Sequence, residues 1–252
     1  MSSLPHAVVD STTMLRRNLR RTLRYPVAAA ATIGIPLVLL LLFVGVFGDT
    51  MGAGLVGASG GRDDYLDYIT PGILLISVAM DMTEGIINRF RTMAITRASV
   101  LTGHALGNLI QTLVALVVVV GVALLLGFDP SAMAIEWLAV IGLLTLTSLA
   151  VIWLAIALGQ VSRNVEAASN LPLPLILLPF LGSGFVPTDG LPAGMDWFAE
   201  HQPFTPIMET IRGLLLGSAI GSDGIIAVAW SVGILVVGYL GAKRLYERDP
   251  AP

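Results

Sequence analysis

Side chains able to do chemistry are few in this chain, and most lie next to apolar runs. Asp81 and Glu84 are the acids closest to those runs. Intramembrane acids mark ion or proton pathways by default, and a proton relay through this pair is one reading. The other places both at the headgroup level, pairing with Arg89 or capping a surface helix; a span ending near Glu84 favours it. No cysteine is present, so disulfides and thiolate metal sites are excluded. His6, His104 and His201 cannot gather at one site without crossing a membrane, so no metal centre is expected. The one lysine, Lys243, follows Ala242 in an apolar run and not a glycine-rich loop. The chain therefore lacks a phosphate-cradling P-loop and is not expected to hydrolyse ATP itself.

A second stretch with chemical potential is Leu181-Gly-Ser-Gly, which resembles part of an intramembrane serine-protease motif without its leading glycine. The histidine nearest in sequence, His201, falls in a loop. Small residues that loosen a bent helix are the better account of Ser183.

The richest stretch is Asp81–His104, DMTEGIINRFRTMAITRASVLTGH, polar and arginine-bearing between two apolar segments. Arg89, Arg91 and Arg97 alternate with apolar Phe90, Met93 and Ile95. A basic, partly apolar helix held at a membrane surface by flanking spans is shaped to touch something. Lipid phosphate would explain the arginines. It does not explain a compact, helical segment closed by a turn at Thr96–Ser99, and docking of a partner protein is the preferred reading.

Composition sets the class. Over 252 residues, 55% are hydrophobic, 12% are charged, and the mean hydropathy is +0.84. Globular chains carry roughly 25% charge, so an all-α integral membrane protein is expected. The net charge of −3 matters less than its distribution: the cations are thirteen arginines and one lysine. That bias fits a GC-rich bacterial genome; the expected location is a bacterial plasma membrane.

Residues 1–24 open the chain. Leu4, Val8, Leu15, Leu19 and Leu23 share one arc of a helix, with Arg16, Arg17, Arg20, Arg21 and Arg24 opposite. This is the pattern of an interfacial helix with its arginines toward anionic headgroups. A nucleic-acid-binding arm would leave the leucine stripe bare and is not expected. The first apolar run, Tyr25–Gly48, has 24 uncharged residues, too long for a cleaved signal segment, so it reads as span one. Asp49–Asp64 reads as an outer loop. Between Asp67 and Asp81 only 13 uncharged residues occur, fewer than the roughly 17–25 of a spanning helix. Charge decides that this run, from about Tyr65 to Glu84, crosses. If it does, 12 of the 14 basic residues share one face, leaving only Arg62 and Arg212 outside; otherwise the basic clusters split, against the positive-inside rule.

Span three is expected over about Thr102–Phe128, with Ser99 as a candidate N-cap. The turn Asp129–Glu136 leads to span four, about Trp137–Gln160. Span five, Ala168–Val186, holds Pro172, Pro174 and Pro179 and should be bent. The stretch that follows is too polar to span and too apolar to be free coil. It predicts two short outer helices dipping into the membrane edge, the second opened by Thr205 as N-cap with Pro206 in its first turn. Span six is Gly224–Ala242, and residues 244–252 form an inner tail. The expectation is a single transmembrane domain over 1–252: the interfacial helix, a six-span core over 25–243, and both termini cytoplasmic.

GIINRFRTMAITRASVLTGH resembles the cytoplasmic coupling segment of ATP-binding-cassette export permeases, particularly membrane subunits of the daunorubicin-resistance type. The outer FLGSGFVPTDGLP and HQPFTPIMETIRGLL stretches resemble the same family between its last two spans. That resemblance implies a homodimeric permease and a separately encoded ATPase that binds ATP and Mg; no cofactor is expected on this chain. It implies coupling residues Glu84, Gly85, Arg89, Phe90, Arg91 and Arg97, and outer-gate residues Phe185, Pro203, Pro206 and Arg212. The family often has proline near Ala94, which this chain lacks. The implied activity is export of an amphipathic drug-like or lipidic substrate, with a multidrug-efflux role. The rival is a self-sufficient proton-coupled transporter using Asp81 and Glu84.

Overall fold

The computed structural model describes residues 26–57, 59–90, 98–161, 171, 173–188, 191–192 and 194–248. Within them the chain forms eight α-helices: α1 (Pro26–Val56), α2 (Arg62–Phe90), α3 (Ala98–Leu126), α4 (Ala134–Val161), α5 (Leu173–Leu177), α6 (Met195–His201), α7 (Phe204–Leu216) and α8 (Asp223–Arg248). A 3₁₀ turn, Leu178–Leu181, continues α5. No strand occurs among the described residues.

Four of the helices are long and apolar enough to cross a membrane, over Ile33–Val56, Ala105–Leu126, Ala134–Val161 and Asp223–Leu245. Their outward faces carry bare apolar side chains such as Val38, Val117, Leu125 and Ile225. In water that surface would drive aggregation; in a bilayer it meets hydrocarbon.

α2 is the centre. From Ile69 to Ala79 every residue is buried, and Ile69, Ile73, Leu74, Leu75 and Ile76 are wholly so. A helix buried on all sides lies inside its bundle, and α1, α3, α4, α5 and α7 pack around this one. Asp63, Asp64, Asp67, Asp81 and Glu84 keep α2 from the apolarity of a lipid-facing span. Its 29 residues still reach about 43 Å at 1.5 Å per residue.

Several boundaries differ from those read in the sequence. The first helix does not end at Gly48 but runs to Val56, so the connection to α2 shrinks to residues 57–61. The glycines that look like loop residues are contact points: a Cβ on Gly52 would collide with the Gly61 backbone in the connection, and one on Gly48 with Arg62 at the start of α2. The segment 81–90 is the continuation of α2 and not a separate surface helix. Ser99 falls within α3 as bounded, one residue past its first. α4 begins at Ala134, where Glu136 Oε2 accepts the Met133 amide at 2.6 Å; this return bond to the helix entrance shortens the expected turn. The proline-rich stretch is a short helix, a 3₁₀ turn and then turns through Phe185, not one bent helix over the described part.

α4 and α8 form the most extensive pair outside the centre. Thr147 and Ser231 share a hydroxyl hydrogen bond of 3.1 Å. At Gly238 an added Cβ would stand 2.6 Å from the Leu154 nitrogen, the close backbone approach that small residues permit between membrane helices. Trp153 meets Tyr239 edge-on at 5.0 Å.

Candidate functional site

The polar centre of the described structure is built around Arg212 on α7. This arginine is 8% exposed, in a segment where Phe204–Met208, Thr210, Ile211 and Gly213 are buried too. A buried guanidinium must have its donors met, and here each partner comes from a different place. Nη1 bonds Glu209 one turn back at 2.5 Å. Nε and Nη2 donate to the Tyr68 carbonyl of α2 at 3.3 and 3.1 Å. Nη2 also donates to the Ser183 carbonyl at 2.8 Å. The carbon of the guanidinium lies 3.9 Å over the Tyr68 ring centroid, a cation–π contact. One side chain thus ties α7 to α2 and to the 182–185 turn.

Pro71 lies inside α2 beside this knot. Lacking an N–H, it leaves the Asp67 carbonyl without its intrahelical donor, whereas the carbonyl that Arg212 takes is that of Tyr68. One residue past Pro71, Gly72 lets the turn come down onto α2: a Cβ there would lie 2.5 Å from the Gly184 carbonyl oxygen. Tyr65 Oη donates to the Phe185 carbonyl at 3.2 Å. Phe185 itself is buried, stacked on Phe180 at 4.7 Å and tilted against Phe43 of α1 at 4.8 Å.

Pro203 and Pro206 stand at the entrance to α7, where Pro203 occupies the N-cap position and Pro206 is buried in the first turn. Thr205 is not the cap. Its hydroxyl donates back to the Ala199 carbonyl at 2.5 Å and accepts from Gln202 Nε2 at 2.9 Å. Gln202 Oε1 meets the Phe204 amide at 3.1 Å. The α6–α7 corner is therefore locked by Gln202, which sequence reasoning missed because glutamine is not among the usual N-caps. α7 is also not at a lipid edge: α2, α4, α6 and α8 surround it.

Of the outer-gate set, Phe185 and Arg212 are brought to one cluster through Tyr65, Tyr68 and Ser183, while Pro203 and Pro206 stand at the entrance to α7. Tyr68 and Glu209 were not singled out. Glu209 had a signal, its three-residue spacing from Arg212. Tyr68 had none, since its carbonyl makes the hydrogen bonds. The Ser183 hydroxyl is buried without a hydrogen-bond partner. His201 Nδ1 bonds the Trp197 carbonyl at 2.8 Å and its ring stacks on Trp197, so no serine–histidine pair is assembled. Glu84, Gly85, Arg89 and Phe90 fall in the C-terminal part of α2, and their side chains, with that of Asp81, lie outside the described residues. Arg91 and Arg97, and the amino-terminal Arg16, Arg17, Arg20, Arg21 and Arg24, also lie outside them.

The knot ties α7 to α2 and to the 182–185 turn inside a bundle that includes four helices long and apolar enough to cross a membrane; what such a bundle does is shown by comparison with known proteins. Residues 11–216 match the family model for the ABC-2 type transporter. The chain belongs to that family and is a multi-pass membrane permease. It is 27% identical over 261 aligned positions to the Daunorubicin resistance ABC transporter permease protein DrrB1 of Streptomyces coeruleorubidus, covering 97% of this chain and 88% of that protein. It is 28% identical over 168 residues to the Probable doxorubicin resistance ABC transporter permease protein DrrC of Mycobacterium tuberculosis (strain ATCC 25618 / H37Rv), covering 64% of this chain and 59% of that protein.

Proposed function

We propose that this chain is the membrane subunit of an ATP-driven exporter, working as a homodimer with a separately encoded ATPase. Similarity along nearly its whole length to a daunorubicin resistance permease carries this reading. The cargo class is an amphipathic drug-like or lipidic molecule. In the layout proposed, α2 and the stretch 168–186 cross the bilayer beside the four apolar helices, giving six spans with the arginine-bearing segment 81–97 and both termini in the cytoplasm.

The mechanism uses α2 as the connecting element. ATP closes the paired ATPases, and Glu84, Gly85, Arg89, Phe90, Arg91 and Arg97 receive that movement, with the amino-terminal arginine helix as a neighbouring contact. The far end of α2 meets Arg212, so a displacement at one end bears on the contacts among α2, α7 and the Phe185 turn at the other. A two-state dimer shifts toward outward opening to the extent that nucleotide prefers that state. ATP and Mg act on the partner.

The test is reconstitution in vesicles with a candidate ABC ATPase subunit from the same organism. ATP-dependent accumulation of a fluorescent amphiphile, absent with either subunit alone, is the expected result. Transport by this chain alone under a pH gradient would overturn the proposal in favour of proton coupling, and its loss in Asp81→Asn or Glu84→Gln would assign the carrier.

A further inference from the structure

Polar side chains on the long helices generally find a partner close by. Thr70, Ser77, Thr112 and Ser148 each donate to the carbonyl one turn back, at 2.7 to 3.0 Å. This is the usual remedy for a hydroxyl on an apolar helix. Gln160, in the last turn of α4, is different. Its Oε1 and Nε2 are both buried, and neither has a hydrogen-bond partner among the described residues. The Ser183 hydroxyl is unmet too, but it is a single small group. A carboxamide leaves two donors and a carbonyl oxygen without partners.

Gln160 stands one turn beyond Ile156 on the same face of α4, and that face belongs to an apolar cluster separate from the main core. The cluster joins Ala105 and Leu109 of α3 to Ile152, Ile156 and Ala157 of α4 and to Ala242 of α8. No described side chain of α2 takes part in it. Half of its buried members are alanine, so less apolar area holds it than holds the packing around α2. α3 begins at Ala98, directly after the arginine-bearing segment. A glutamine between membrane helices ordinarily serves as hydrogen-bonding glue, which requires a partner. An unmet buried amide is costly, and access to water removes that cost.

We infer that the α3–α4–α8 cluster is a seal that parts during the working cycle, and that Gln160 is the side chain that eases its opening. The amide is unmet while the seal is shut and hydrated once it opens. It thus works against the apolar contact above it and keeps the two states close in free energy. The inference rests on the export reading for the motor and for the side concerned: movement of the segment 81–97 reaches the start of α3 directly, at the cytoplasmic end of the bundle.

Cysteine is absent from the chain, so Gln160→Cys gives the permease a single thiol. The full chain and its ATPase are placed in phosphatidylcholine nanodiscs, and reaction with a water-soluble maleimide is timed without nucleotide and after trapping with ATP and vanadate. The two rates should differ by about tenfold or more, as for a one-decade shift in the open population. Ser77→Cys, at a wholly buried position of α2, should react slowly in both conditions. Equal rates at Gln160→Cys, whether fast or slow, overturn the proposal. Gln160→Leu provides a second reading without labelling: the melting temperature of the chain should rise and ATP-driven export fall by about tenfold. A lower melting temperature would show that the amide is already met with the seal shut, and overturns the proposal. A raised melting temperature with unchanged export marks a packing defect and overturns it too. The export reading is tested separately on the wild type. A nucleotide-dependent thiol rate without transport of a fluorescent amphiphile sinks export and keeps the seal; ATP-driven export with one unchanging rate does the reverse.

Discussion

Gly72 and Gly184 stand so close that a Cβ on Gly72 would lie 2.5 Å from the Gly184 carbonyl oxygen. The obstacle is backbone, which cannot rotate aside as a side chain can. Gly72→Ala should therefore overpack the contact between α2 and the 182–185 turn, at about 1–3 kcal/mol. Gly121→Ala, in α3 with nothing within 4 Å, should be neutral or slightly stabilising through helix propensity. Thermal unfolding in detergent compares the two; equal behaviour would remove the close approach from the account.

Arg212→Met leaves the Ser183 carbonyl without this donor and the Glu209 carboxylate without its ion-pair partner, and an unmet buried group costs about 1–3 kcal/mol. Arg212→Lys keeps the charge but loses the planar fork that reaches several partners at once. The expected order of unfolding temperature is wild type, then Lys, then Met, with export falling in the same order. A lysine variant equal to wild type in both measurements would show that charge alone is needed.

Phe185 is held between Phe180 and Phe43, at 4.7 and 4.8 Å. Phe185→Ala should lose about 3–5 kcal/mol, the usual cost of deleting a buried phenyl ring. Phe185→Leu should recover much of it. The check is the same unfolding assay, read beside export to separate folding from gating.

Arg89→Glu and Phe90→Asp test the proposed docking end of α2. Both should insert normally, stop stimulating the ATPase, and abolish export. Normal export at wild-type protein levels would refute the docking role. A cysteine placed at position 91 should react with membrane-impermeant reagent only after cells are opened.

Between α4 and α8 the contributions are unequal. Thr147→Val removes one hydroxyl pair, worth about 0.6 kcal/mol on average between membrane helices. Gly238→Leu drives a side chain into the Leu154 backbone and should cost about 1–3 kcal/mol or more. Unfolding measurements that rank Thr147 above Gly238 would show that hydrogen bonding dominates this pair.

What could be read beforehand follows from how each element is stabilised. α1, α3, α4 and α8 announce themselves because they face hydrocarbon and need long apolar runs. α2 does not, because protein surrounds it and length matters more than lipid-facing apolarity; only the distribution of arginines argued for its crossing. The helical continuation through Asp49–Val56 was hidden because Gly52 looks like a loop residue and acts as a contact. Phe185 and Arg212 were suggested by family resemblance and not by periodicity. Their meeting through Tyr68 and Ser183 depends on main-chain carbonyls, which every residue has and no residue type advertises.

A bilayer acts directly only on the groups it touches. Between Ile69 and Ala79, α2 presents no surface of its own to the surroundings, so altered acyl-chain length would strain α1, α3 and α8 first. The protein's innermost helix is thus insulated from whatever surrounds the bundle, and its tilt is set by neighbouring side chains rather than by lipid.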